Sequence, residues 1–460
     1  MKPLTDFPDA HLRIFERPPV PAPEAVQSVY LIGICGTGMG SLAGLFEQAG
    51  CRVCGSDRAA YPPMSTRLTE AGITVFEGYD PARLDPAPDL VVVGNACIPT
   101  HVEATYARKH RLVQQSLPEA LAHFFIRDRR SLVVAGTHGK TTTTGMLVHV
   151  LRKAGLDPGF LVGGVMANGN VNYSVGTGTH FVVEGDEYDS AYFDKRPKFM
   201  HYRPTSAIVT SIEFDHADIY DGWEDYREAF RAFARLVPDG GLLALCGDAP
   251  AVRALAAGTG ARVRCYGLDG PANDVTARNV QPFSGGQRFT LVVEGEDRVA
   301  VTLPMSGRHN LLNALAVCTV ALDEGLAPAQ LAHGFGTFKG MRRRQEVRGE
   351  IGGVLVLDDF AHHPTAVRET IHAVRQRWPD RRLVAVFEPR SNSSRRKMFE
   401  TPYAEAFDRA DLAFLSAPPF RHNDDVERFM DARVVVQTVT RRGVPAFVYP
   451  DADALLPPLL

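Results

Sequence analysis

The segment Gly136-Thr137-His138-Gly139-Lys140-Thr141, with Thr142 next, holds the residue types that bind a nucleotide's phosphates. A glycine-rich turn opening a helix aims backbone N–H groups and the positive end of the helix dipole at an anion. Lys140 would neutralise the β/γ-phosphates, and the Thr141 hydroxyl would bind Mg²⁺. Position 134 is Val, so the loop is shorter than the common GxxxxGK[ST] form. Downstream, Glu184 ends the apolar run FVVE, with Asp186, Glu187 and Asp189 behind it. Asp215 and His216 follow the run ending at Ile212. A hydroxyl, a carboxylate and an imidazole (Thr141, Glu184, His216) suit one or two Mg²⁺ ions beside ATP. A solvated acidic loop with a capping histidine is the bland alternative.

A second glycine-rich turn, GICGTGMG, precedes a helix pattern, and Asp57 ends the next strand pattern. Its spacing departs from GxGxxG. The physics favours a diphosphate at the helix start with Asp57 near a ribose hydroxyl. An NAD-dependent oxidoreductase is the rival reading of this turn. Further on, Gly307-Arg308-His309-Asn310 opens a helix, and Arg342, Arg343 and Arg344 lie where two domains should meet. One of these arginines can swing onto a phosphate on closure. His362-His363 without a third ligand is weak evidence for a metal. In Glu388-Pro389-Arg390-Ser391-Asn392, Arg390 can grip a carboxylate bidentately. Arg395-Arg396-Lys397 reads as solvated surface.

These residues need strand ends to hold them. SVYLIGI, LVVVGNA, SLVVAG, HFVVEG and TSAIVTSI are short apolar runs alternating with helical stretches, the pattern of parallel sheets covered by helices. In such sheets the strand C-termini share one edge, where ligands bind. The chain of 460 residues suits about three domains at roughly 150 residues each. The expected division is a Pro-rich extension at 1–25 that drapes over a domain or stays mobile, then domains at 26–126, 127–346 and 347–460. The expected fold class is α/β: a Rossmann-like N-terminal domain, a central P-loop ATPase-type domain and a Rossmann-like C-terminal domain that is either truncated or abridged.

Composition narrows the function. Hydrophobic residues make up 45% and charged residues 22%, as in ordinary globular proteins. The net charge of -3 argues against a general nucleic-acid binder. No run of about 18 apolar residues suggests a membrane span, and the N-terminus has no signal-peptide core, so a cytoplasmic monomer is expected. Seven scattered cysteines do not make a disulfide framework. Cys51 and Cys54 read as strand positions pointing to opposite faces.

The ordered set GTHGKTTTT, VVEGDEYDS, TSIEFDHADIY, GRHNLLNAL, MRRRQE and DDFAHHPTA resembles the muramyl (Mur) ligases across nearly all of 26–450. The resemblance implies an ATP- and Mg²⁺-dependent enzyme that joins a cell-wall peptide to UDP-N-acetylmuramate through an acyl phosphate. Variants such as EYDSAYFDKRPKFMHY and EPRSNS resemble the tripeptide-adding branch, with addition of L-alanine as the alternative. By resemblance, Lys140, Thr141, Glu184 and His216 serve the phosphates and metal. His309, Asn310 and Asn313 take the adenine side, Arg344 the γ-phosphate and Asp359 the nucleotide ribose. Gly36, Thr37, Gly38, Met39 and Asp57 hold the UDP moiety, and Arg390 with Asn392 the peptide's carboxylates. The stretch 221–238 contains no lysine, so the carbamylated lysine of some family members is absent. The third domain is expected to lack the family's last strand and glycine-rich loop, which puts peptide binding in question.

Overall fold

The computed structural model describes residues 2–216, 219–270, 272–420 and 426–459. The first unit is a five-stranded parallel sheet in the order β3-β2-β1-β4-β5. Its strands are β1 (Ser28–Ile32), β2 (Arg52–Asp57), β3 (Thr74–Glu77), β4 (Leu90–Val93) and β5 (Gln114–Ser116). All four residues of β4 are buried, as a run covered by helices on both faces requires. Helix α1 (Thr37–Gln48) starts at the first glycine-rich turn, three residues earlier than the apolar pattern alone suggests.

The second unit is built on a ten-stranded sheet. It contains β6 (Arg130–Ala135), β7 (Gly159–Met166), β8 (Val171–Ser174), β9 (His180–Gly185), β12 (Ser206–Val209), β13 (Leu242–Cys246), β14 (Arg262–Tyr266), β15 (Val275–Phe283), β16 (Gly286–Val293) and β17 (Glu296–Leu303). A small hairpin, β10 (Asp189–Ala191) with β11 (Asp194–Pro197), stands outside that sheet. The centre is parallel, so β6, β9 and β12 end on one edge. Helices α2 (Lys140–Lys153) and α3 (Arg308–Asp323) pack together near that edge.

The third unit carries a three-stranded parallel sheet, β20 (Val384–Phe387), β21 (Leu412–Ser416) and β22 (Ala446–Tyr449), with helix α4 (Pro364–Arg377) nearby. The apolar run near 354 does not join it. Instead β18 (Glu346–Ile351) and β19 (Val354–Asp358) form a separate antiparallel hairpin. Gly352 and Gly353 turn it with φ of 58° and 80°, the backbone a tight two-residue turn demands.

The units join differently. Residues of the first and second share one hydrophobic core, whereas the third has its own around Ile371, Tyr403 and Leu415. Helix α1 lies on β7 and β8. Ser41 Oγ there accepts from Asn172 Nδ2 at 2.6 Å, and Gln48 Oε1 accepts from the Val175 N–H at 3.0 Å. The N-terminal extension drapes rather than dangles. Arg13 donates to the Tyr192 carbonyl, Phe15 stacks on Tyr192, and Arg17 grips Glu119 bidentately.

Candidate active site

Gly139 caps α2 with φ 79°, and a Cβ there would lie 2.6 Å from Asn313 Oδ1. Only glycine fits both constraints, so this residue seats the phosphate loop against α3. The first N–H groups of α2, at Lys140, Thr141 and Thr142, have no acceptor within the helix and face outward for an anion. The loop's earlier N–H groups do not. Thr137 N–H donates to the Ser211 carbonyl at 2.9 Å and His138 N–H to Ser211 Oγ at 2.8 Å. The first half of the loop is thus braced to the strand-end segment after β12.

Lys140 is buried. Its ammonium donates to the Gly136 carbonyl at 2.7 Å and to Glu187 Oε2 at 2.8 Å. Glu187 is fully buried and also lies 3.3 Å from His216 Nε2. Burial alone would raise the Glu187 carboxyl, but the Lys140 charge and the His216 hydrogen bond outweigh it and hold it at about 2. Burial would likewise lower Lys140 and His216, and the same carboxylate raises both. Sequence reasoning treated Glu187 as one acidic residue in a row. Its position three residues after a strand-end glutamate was the available signal.

Beside this trio, Thr141 Oγ1 donates to Glu184 Oε1 at 2.8 Å, and the Gly163 N–H donates to Glu184 Oε2 at 2.8 Å. Burial and the neighbouring Asp186 raise the Glu184 carboxyl. A hydroxyl and a carboxylate oxygen in contact suit a hard cation such as Mg²⁺. His216 turns its Nε2 to Glu187 and Asp215 rather than to Glu184, so the three expected metal ligands fall into two adjoining sets.

A cavity of about 410 Å³ opens beside the loop. His138, Gly139 and Thr142 line one wall, His309, Asn310 and Asn313 another, and Arg344, Asp359 and Thr365 come from the third-unit side. Arg344 packs its guanidinium 5.3 Å from the Phe360 ring centroid. Of its neighbours, Arg342 is paired with Glu346 and Arg343 with Asp358, so one of the three arginines faces the cleft. Asp359 accepts from Gln345 N–H at 2.8 Å and Ala361 N–H at 2.7 Å, and burial raises its carboxyl. His309 is pushed down to about 4 by burial and lies 3.2 Å from Gln345 Nε2. Asn310 is buried and donates to the Ser306 carbonyl, so its role there is structural as well. Arg308, on the rim, pairs with Asp248 and Asp269.

The first-unit turn adopts the form needed for an anion, with Gly33 at φ 84° and α1 starting at Thr37 after the Gly36 cap. Asp57 Oδ2 accepts from the Cys35 N–H at 2.8 Å, so this carboxylate props the turn itself. A Cβ on Gly38 would lie 3.0 Å from Leu117 Cδ1, and the Met39 side chain is buried in the core. On the third unit Arg390 is 75% exposed with Glu388 3.8 Å away. Asn392 accepts from Arg395, and Ser393 Oγ accepts from the His216 N–H at 3.2 Å. Arg395 is buried, not solvated: it braces the loop through the Ser391 and Pro419 carbonyls. Ser393 and Thr365 were missed, because contacts between units leave no local pattern.

The comparisons agree with this layout. Three family models match in order: "Mur ligase family, catalytic domain" over residues 28–129, "Mur ligase middle domain" over 134–321 and "Mur ligase, glutamate ligase domain" over 343–457. The chain is 40% identical over 395 residues to the UDP-N-acetylmuramate–L-alanyl-γ-D-glutamyl-meso-2,6-diaminoheptandioate ligase of Haemophilus influenzae, covering 85% of this chain and 86% of the relative. It is 37% identical over 424 residues to the UDP-N-acetylmuramate–L-alanine ligase of Chlorobium phaeovibrioides, covering 92% and 88%. The crystal structure of a murein peptide ligase from Psychrobacter arcticus superposes with a TM-score of 0.71 at 34% identity, covering 93% of this chain and 91% of the other. This chain belongs to the Mur ligase family. Among the described residues no helix is long and apolar enough to cross a membrane.

Proposed function

We propose that this enzyme uses ATP to join L-alanyl-γ-D-glutamyl-meso-diaminopimelate to the carboxyl group of UDP-N-acetylmuramate. The observation that carries the reading is the cavity in which His138, Gly139 and Thr142 of the phosphate loop face Arg344 and Asp359, with the Lys140–Glu187 and Thr141–Glu184 contacts buried beside that loop. The relatives named for the tripeptide favour that substrate over L-alanine. We assign residues 26–126 to the UDP-sugar, 127–346 to ATP and 347–460 to the peptide.

The chemistry follows from charge. A carboxylate is a poor electrophile, so its oxygen first attacks the γ-phosphorus and ADP leaves. The peptide amine then attacks the acyl carbon, and phosphate leaves with the amine's proton lost to solvent or a base. Two anions must approach in the first step, and fixed cations are what make that affordable. Lys140 would exchange Glu187 for phosphate oxygens as the triphosphate enters. Arg344 would reach the same phosphate from the boundary between the second and third domains. Thr141 and Glu184 would hold Mg²⁺, with His216 beside them, and the ion supplies further neutralisation of the phosphates. The docked third domain excludes water from the acyl phosphate.

Carboxylate-labelled [¹⁸O]UDP-N-acetylmuramate tests this directly. With MgATP and tripeptide, mass spectrometry should find the UDP-linked tripeptide and one ¹⁸O atom in the released phosphate. Product without label in phosphate would contradict the acyl phosphate. No product would contradict the ligase assignment.

A further inference from the structure

Three side chains from separate parts of the chain converge at the edge of the cleft, apart from the Thr141–Glu184 pair. His138 comes from the phosphate loop, Glu213 from the loop after β12, and His363 caps α4. Glu213 Oε2 lies 3.3 Å from His138 Nε2 and 3.7 Å from His363 Nδ1, and the three ligand atoms all lie within 4.8 Å of one another. A tetrahedral ion with bonds of about 2.0–2.2 Å puts its ligand atoms roughly 3.4 Å apart. The Glu213–His138 edge already has that length and the Glu213–His363 edge is a little longer, and His363 Nδ1, which accepts from the Thr365 N–H at 3.3 Å, must release that bond to turn its lone pair to the ion. Thr365 Oγ1 donates to Glu213 Oε2 at 2.6 Å, the kind of outer hydrogen bond that orients a carboxylate ligand.

We propose that His138, Glu213 and His363 form a site for a divalent transition metal of the zinc class, and that filling it clips the third domain to the phosphate loop. Two imidazoles and one carboxylate select such an ion over Mg²⁺, which prefers oxygen ligands. The other such group among the described residues, Glu119, Asp194 and His201, is less suited. Its carboxylates are already gripped by Arg17 and Arg196. Because His138 and Glu213 also line the nucleotide cleft, the bound ion obstructs phosphate entry and inhibits turnover.

The test is a Co²⁺ titration of the whole chain without nucleotide, followed by visible absorption. Four-coordinate Co²⁺ absorbs strongly, and six-coordinate Co²⁺ on oxygen ligands only weakly. The wild type, Glu184→Gln and the neighbour control His362→Asn should each bind one equivalent with the strong bands, displaced by one equivalent of Zn²⁺. His363→Asn keeps an acceptor at the helix cap but loses the nitrogen ligand, and should lose the bands and at least tenfold in affinity. Zn²⁺ inhibition of phosphate release should weaken in the same variant. Should His363→Asn fail to fold, Glu213→Gln carries the comparison. Absence of the strong bands in the wild type, or their persistence in either variant, overturns the proposal.

Discussion

At the residue scale, the first half of the site is organised by a buried carboxylate. Glu187 joins Lys140, His216 and the Tyr226 hydroxyl. Lys140→Met removes the cation that meets the phosphates and leaves Glu187 buried with less compensation. Turnover should fall at least about 10²-fold, and unfolding should be easier by roughly 3 kcal/mol, since one partner of a buried pair is gone. Arg344→Lys isolates the catalytic part: it keeps a charge at the cleft but loses the planar fork. We expect kcat to drop about 10²-fold with an unchanged melting curve. Steady-state phosphate release and thermal unfolding distinguish the two. Most of these residues were legible in the sequence, because a phosphate loop and strand-end acids are local patterns with a chemical purpose. Glu187, Ser393 and Thr365 were not, because their roles are set by partners far along the chain. Arg395 looked like surface because charge runs usually are, and only the loop it braces explains its burial.

At the element scale, strand order brings the ends of β6, β9 and β12 to one edge, and the opposite edge is tied by one acid. Glu324, just after α3, bonds Arg130, His180 and Ser206 at the starts of β6, β9 and β12. Burial would raise this carboxyl, but its donors hold it at about 2, below its usual 4.5. A depressed carboxyl contributes stability above its unfolded value and loses it as pH falls through the folded one. Glu324→Gln should therefore cost about 2–3 kcal/mol near pH 7. The gap to wild type should close between about pH 4.5 and 2 in urea unfolding followed at several pH values. Gly44, in α1, is a second element-scale test. A Cβ there would come within 2.1 Å of the Tyr173 ring on β8. Gly44→Val should loosen the first domain from the second, seen as earlier proteolysis between residues 116 and 130 while the phosphate loop keeps its fold. The strand–helix alternation of the first two domains was readable because buried parallel strands are uninterrupted apolar runs. The β18–β19 hairpin also carries an apolar run, and the Gly352-Gly353 turn and half-exposed faces mark it as a two-stranded ribbon.

At the scale of the whole molecule, the third domain stands apart energetically. Its core is its own, and it meets the second domain through polar contacts such as Thr365 with Glu213 and Ser393 with His216. Interfaces of that character permit domain motion. Small-angle scattering should show the radius of gyration falling when UDP-N-acetylmuramate and a non-hydrolysable ATP analogue bind together, and an unchanged value would contradict closure. The first domain, sharing a core with the second, should not move relative to it. The shared plan of three units was visible in the sequence, but the unequal joints were not, since they depend on which faces meet.

The measurement that bears most directly on the assigned activity is phosphate release from MgATP and UDP-N-acetylmuramate with each amine in turn. Release with L-alanyl-γ-D-glutamyl-meso-diaminopimelate, and little above background with L-alanine, is the predicted result. Release with L-alanine alone would contradict it and move the chain to the L-alanine-adding branch.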